Sequence, residues 1–120
     1  MRTGQLGPAS QLFERALKAD PDYLPTYAMA IPVWLELGQL GAATVHLERL
    51  TLRHPRHTEG WYALALVYRR ARRFKESAMV YEVYLSMRPD EAEPYFGLGV
   101  ALGRLGHHAR ARWAYDRYLQ

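Results

Sequence analysis

The chain contains no cysteine. Disulfide bridges and thiol catalysis are therefore excluded, although a cysteine-free chain fits any compartment. No window reaches the eighteen or so consecutive apolar residues of a membrane span, so direct membrane insertion is not expected. The N-terminal segment MRTGQLGPAS lacks the apolar core of a secretory signal. The compartment, bacterial cytoplasm or periplasm, stays open. Serine is scarce: Ser10, Ser77 and Ser86 are the only three, and no nucleophile-elbow motif surrounds any of them. Glycine never clusters into a phosphate-cradling loop; Gly4, Gly38, Gly41 and Gly106 are expected at turns instead. Two histidine pairs, His54/His57 and His107/His108, fall at turns with no thiol or acid to complete a four-ligand zinc set. No catalytic residue, metal or cofactor is expected, and the chain is read as no enzyme. Lysine is also rare, two against fourteen arginines. That bias is attributed to GC-rich bacterial coding.

What the chain does have is a period. Pro21, Pro55 and Pro89 stand 34 residues apart, and Tyr27, Trp61 and Tyr95 keep the same step. So do Ala9, Ala43, Ser77 and Ala111, and the larger Phe13, Leu47, Tyr81 and Tyr115. GQLGPA at Gly4 recurs as GQLGAA at Gly38. Trp61, Leu64, Ala65 and Tyr68, at i, i+3, i+4 and i+7, form one apolar helical stripe. Ser77, Tyr81, Tyr84 and Leu85 form another on a following helix. Neither stripe can be buried alone, so each unit is a helix hairpin stacked on the next. Small residues, Ala65 and Gly99 in one column and Ala43, Ser77 and Ala111 in another, permit close approach. Asp20-Pro21, His54-Pro55 and Pro89-Asp90 end helices. Thr58 and Asp90 are expected N-caps, with Glu59, Glu91 and Glu93 in favourable first turns. Pro32 falls inside a helix, where a kink is expected.

A fixed 34-residue step with these residue types resembles the tetratricopeptide repeat (TPR). The resemblance covers essentially the whole chain. It implies an all-α, TPR-type α-solenoid of stacked antiparallel helix hairpins in a right-handed superhelix. Residues 1–22 are read as a partial first repeat, mainly its second helix from about Pro8 to Ala19. Residues 23–56, 57–90 and 91–120 are read as three further repeats, the last truncated. Residues 1–3 align with the end of an absent helix, and no polar capping helix follows Gln120. Solenoids normally need caps. The expectation is a piece of a longer array that self-associates through uncapped ends or its convex face.

The densest charge is YRRARRFK, Tyr68 to Lys75, five cations in a chain of net charge +4. The remainder sums to −1, so the chain has one basic locus. In the repeat register Tyr68 belongs to the core stripe, and Arg72, Arg73 and Phe74 fall in the inter-helix turn, where Phe74 packs. The weighed readings are a solvated turn, a partner contact, a nucleic-acid patch and a targeting signal. A nucleic-acid patch calls for stacking aromatics among the cations, whereas Tyr68 is assigned to the core stripe and Phe74 to the packing of the turn.

The resemblance places a partner-binding groove on the concave face of the first helices. The column there holds Tyr62, Leu66, Arg69 and Arg73, with Phe96 and Val100 in the next repeat and Ala28 and Pro32 in the one before. An apolar floor with a cationic margin of Arg69, Arg70, Arg73 and Arg104 is expected. It suits a protein segment with apolar anchors and acidic flanks. The Lys/Asn constellation by which some TPR domains grip chaperone C-termini is not there. On the convex side, Val45, Met79 and Trp113 share a 34-residue column, widened by Val83 and Met87, as a second partner surface. Two alternatives to the scaffold reading are a secretion-type chaperone cradling exported proteins and an RNA-binding helical repeat. RNA binding would show a steep salt dependence.

Overall fold

The computed structural model describes the backbone of residues 3–120 and the side chains of residues 7–120. Among these, seven α-helices and no strands form: α1 (Thr3–Ala19), α2 (Leu24–Leu37), α3 (Leu40–Arg53), α4 (Thr58–Arg70), α5 (Phe74–Met87), α6 (Glu93–Arg104) and α7 (His108–Leu119). Each helix packs on its neighbours in sequence, and α4 also touches α6. The result is an all-α right-handed solenoid. Its dimensions are 44 × 29 × 22 Å, with a radius of gyration of 15.0 Å. A compact domain of this length would have about 13.6 Å, so the stack is elongated.

The 34-residue columns became contacts. Tyr27, Ala30 and Trp34 of α2 are buried with Leu47 and Leu50 of α3, and the same layers recur as Leu64 and Tyr68 with Tyr81 and Leu85. Each large apolar side chain so buried contributes roughly 2 kcal/mol. The periodic prolines and aromatics form one repeated lock. The Tyr27 hydroxyl donates to the Pro21 carbonyl at 2.6 Å. The Trp61 indole N–H donates to that of Pro55 at 2.8 Å, and the Tyr95 hydroxyl to that of Pro89 at 2.8 Å. Each bond closes an inter-repeat turn onto the helix after it, satisfying a carbonyl that the turn leaves free.

The small-residue columns let helices meet. Ser77 is fully buried and its hydroxyl donates to the Ala65 carbonyl at 2.9 Å; it is a packing residue. A Cβ at Gly97 would lie 2.3 Å from Cζ of Tyr81, and one at Gly99 2.8 Å from the Tyr115 ring. Only hydrogen in those places allows α6 to seat against α5 and α7.

Several local expectations are corrected. The first helix begins at Thr3, not near Pro8. Pro8 is its sixth residue and removes one intrahelical bond, which the continuing helix tolerates. The expected tail of an earlier helix falls partly on residues 1 and 2, outside the described residues, while Thr3 belongs to α1. Pro32 does lie inside a helix, as expected, and α2 continues beyond it to Leu37. Thr58 and Asp90 are not N-caps. Thr58 is already the first residue of α4 behind His57, and α6 starts behind Ala92. Neither helix start carries a side-chain cap; Glu59 and Glu93 do sit in the first turns. Glu91 lies before the helix and accepts from the Tyr84 hydroxyl. Gly4 and Gly41 are helical; Gly38 and Gly106 occupy the turns, at φ 69° and 84°. Phe74 opens α5.

Candidate protein-binding face

The first helices of the hairpins, α2, α4 and α6, share one face of the stack. Ala28, Ile31 and Pro32 of α2, Tyr62 and Ala63 of α4, and Pro94 of α6 line a cavity of about 660 Å³ there. Tyr62 is half-buried and meets Tyr84, another lining residue, edge-on, ring centroids 5.3 Å apart. Burial pushes the Tyr62 hydroxyl above its ordinary pKa, so it stays a neutral donor and acceptor. Two residues further along α6, Phe96 is exposed and leans on Tyr115 and Tyr118 at 5.9 and 5.3 Å. Those two rings hold its position and leave one side open.

At the C-terminal ends of α4 and α6 a second cavity, about 370 Å³, gathers Leu66, Arg69, Arg70, Val100 and Arg104. The structure therefore brings together most of the cationic margin expected from the sequence. Arg73 is not part of it. Its guanidinium lies 4.6 Å from the centre of the Tyr68 ring and pairs with Glu76 at 2.8 Å. Arg73 is the residue that precedes α5, so its side chain follows that helix rather than α4. Two residues the column argument passed over take its place, Arg72 and Phe74.

Arg72 carries a signal that the repeat register does contain. It occupies the 34-residue column of Gly38 and Gly106. All three close the same turn. The N–H groups of Gly38 and Gln39 bond the carbonyls of Leu35 and Trp34. The same pair of bonds recurs at Arg72/Arg73 and at Gly106/His107. This helix-ending motif needs a left-handed residue and normally takes glycine. Arg72 adopts it at φ 63°, the one non-glycine residue with positive φ among those described. That conformation costs an L-residue roughly 1–2 kcal/mol.

On the opposite face Val45, Met79 and Trp113 are exposed by 54%, 60% and 55%. Val83 is less exposed and Met87 half-buried. Trp113 rests edge-on against Tyr95 and borders a cavity of about 410 Å³ with Leu85, Glu82 and Arg110. The last two form an ion pair at 2.7 Å. His54 pairs with Asp22 at 3.0 Å and His57 lies 3.3 Å from Glu59. No group of three or more potential metal ligands assembles among the described residues. No described helix is long and apolar enough to cross a membrane.

Stacked hairpins that keep apolar side chains on an inner face, where neighbouring first helices converge, define a helical-repeat scaffold for protein–protein interaction. The tetratricopeptide repeat family model matches residues 1–67, and the chain belongs to that family. No curated protein matches its sequence. Among solved structures, a crystal structure of MamA superposes with a TM-score of 0.88 at 20% identity, covering 97% of this chain and 68% of that one. MamA from Desulfovibrio magneticus RS-1, residue 41 to the end, gives 0.84 at 21% identity, covering 97% and 66%. MamA AMB-1 gives 0.84 at 19%, covering 97% and 63%. At such identities the likeness is one of fold. This chain spans about two thirds of the length of those proteins.

Proposed function

We propose that the inner face binds an extended or helical segment of a partner protein, without catalysis, through apolar anchors on Tyr62, Leu66, Phe96 and Val100. The observation that carries this is the open cavity of about 660 Å³ that Tyr62 helps to line. Its apolar lining comes from three successive first helices; Ala63 and Pro94 belong to the core, but Ala28, Pro32 and half-buried Tyr62 keep apolar surface that the core does not account for. Aromatic side chains held by neighbours lose little freedom on binding, and such residues dominate interface energetics. Arg69, Arg70 and Arg104 flank this floor and suit an acidic stretch of the partner, with more effect on association rate than on residence.

The test is selection of peptides from a displayed random library on the intact chain. Binders should share apolar anchors spaced for the floor, with acids to one side. Tyr62→Ala and Phe96→Ala should each weaken them by about 2 kcal/mol in calorimetry, with helicity unchanged. Undiminished affinity in the double variant overturns the groove assignment.

A second surface is favoured by the stripe of Val45, Met79 and Trp113. Three exposed apolar side chains in register across three hairpins, continued by Val83 and Met87, make a patch of the kind that docks a partner or another copy.

A further inference from the structure

Four arginines converge where α4 and α6 end, and none has a carboxylate within ion-pairing distance among the described residues. Elsewhere among the described residues Arg53 pairs with Asp22, Arg73 with Glu76 and Arg110 with Glu82, while six further arginines have no ion pair; what sets these four apart is that they line one cavity. Three of the four are held in place by neutral groups. Arg69 Nε donates to the Tyr81 hydroxyl at 3.2 Å. Arg72 and Arg104 both lie against the Phe74 ring, at 5.7 and 5.6 Å from its centre. One aromatic ring thus holds two like charges beside the same cavity of about 370 Å³.

The termini of α4 and α6 offer a bland account of three of them. A cation in the last turn of a helix is stabilised by the helix dipole, and Arg69, Arg70 and Arg104 are so placed. That account fails for Arg72. It lies beyond the end of α4, in a backbone conformation for which both neighbouring hairpins use glycine. Local strain of this sort persists where a side chain is needed.

We propose that Arg69, Arg70, Arg72 and Arg104 form a binding site for a cluster of carboxylates on an acidic protein segment. Guanidinium forks bind carboxylates in two-point fashion, and four converging forks favour several acids close together over a single one. A nucleic acid fits less well. The one aromatic ring in the site is already flanked by guanidiniums and is not free to stack a base. The far edge of the same face carries Glu59, Glu91 and Glu93 against one cation, Arg88, and this net negative charge would repel a continuing phosphate backbone. A single-strand groove needs cations along its track. The face is instead charged oppositely at its two edges, so a bound segment takes one orientation, with its acidic stretch toward Arg72.

The site deepens the inner-face reading and rests on it only for the identity of the ligand as a protein segment. The probe is fluorescein-labelled hexaglutamate, titrated by anisotropy against the full chain at low and at physiological ionic strength. Binding should weaken with salt. Arg72→Gly should lower affinity about tenfold, the loss expected for one charged hydrogen-bonded contact. Its melting temperature should not fall, because glycine suits that turn. Arg70→Gln with Arg104→Gln should abolish binding. Arg112→Gln, which removes one charge from exposed α7, should leave it unchanged. Equal binding by Arg72→Gly, or equal weakening by Arg112→Gln, overturns the site. Tighter binding of an oligothymidylate of matched charge through the same arginines overturns the assignment to an acidic protein segment. A chain that takes apolar library peptides but not hexaglutamate refutes this site and leaves the groove standing; the converse refutes the groove alone.

Discussion

Replacing Gly97 by alanine asks how tightly the repeats are stacked. The added Cβ would lie 2.3 Å from Tyr81 Cζ, 2.4 Å from its hydroxyl and 2.8 Å from Cε1. Carbon atoms in favourable contact are about 3.5 Å apart, so the ring or the helix must move by more than an ångström. Tyr81 has nowhere to go. It is 1% exposed, and its hydroxyl accepts from Arg69. Overpacking of this kind costs about 1–3 kcal/mol. Against it stands the higher helix propensity of alanine, about 1 kcal/mol in a helix interior. A contact as short as 2.3 Å lies toward the upper end of that range, so the clash wins, for a net loss of up to about 2 kcal/mol. Gly103, in the same helix, is the internal control. Its added Cβ would meet only Ala111 Cβ at 3.9 Å, ordinary contact, so Gly103→Ala should stabilise by about 0.5–1 kcal/mol. Urea unfolding followed by circular dichroism reads both. In a Tyr81→Leu background, which removes the far end of the ring, Gly97→Ala should lose most of its penalty. If Gly97→Ala is as stable as the parent chain, or if the Tyr81→Leu background leaves its cost untouched, the α5–α6 packing is looser than described.

Acid should loosen the first inter-repeat turn. The Asp22 carboxyl, bonded by the Arg53 guanidinium at 2.6 and 2.5 Å and then by His54 at 3.0 Å, is lowered from 3.8 to about 2. A carboxyl with a depressed folded-state pKa adds stability that is fully present above about pH 4 and lost as pH falls through about 2. The carboxyl carbon shift should therefore titrate near 2 and move back toward 3.8 in Arg53→Ala; an ordinary midpoint in the parent chain would show the ion pair does not persist in solution. On the outer face, Met79→Glu with Trp113→Glu should leave helicity intact and eliminate any concentration-dependent sedimentation of the chain, and self-association that survives both changes places the contact elsewhere.

The 34-residue step alone determined the helical hairpins, their stacking and most of the core, because burying one stripe per helix forces the period on the sequence. The inner column of Tyr62, Leu66, Phe96 and Val100 was legible for the same reason: apolar residues off the core stripe stand out once the register is known. The caps expected at Thr58 and Asp90 miss by one and two residues the positions that precede α4 and α6, His57 and Ala92, because small changes in turn length move the helix start and composition does not count turns. The periodic prolines and aromatics were visible as columns, but that Tyr27, Trp61 and Tyr95 bond the carbonyls of Pro21, Pro55 and Pro89 is a distance. The basic stretch divided in a way no pattern announced. Arg69, Arg70 and Arg72 turn into one cavity with Arg104, from the neighbouring repeat, while Arg73 folds back on Tyr68 and Glu76. Arginine side chains are long and flexible, so their direction is set by what lies beside them. Sequence supplies the list of charges; only the packing of α4 against α5 and α6 decides which of them meet.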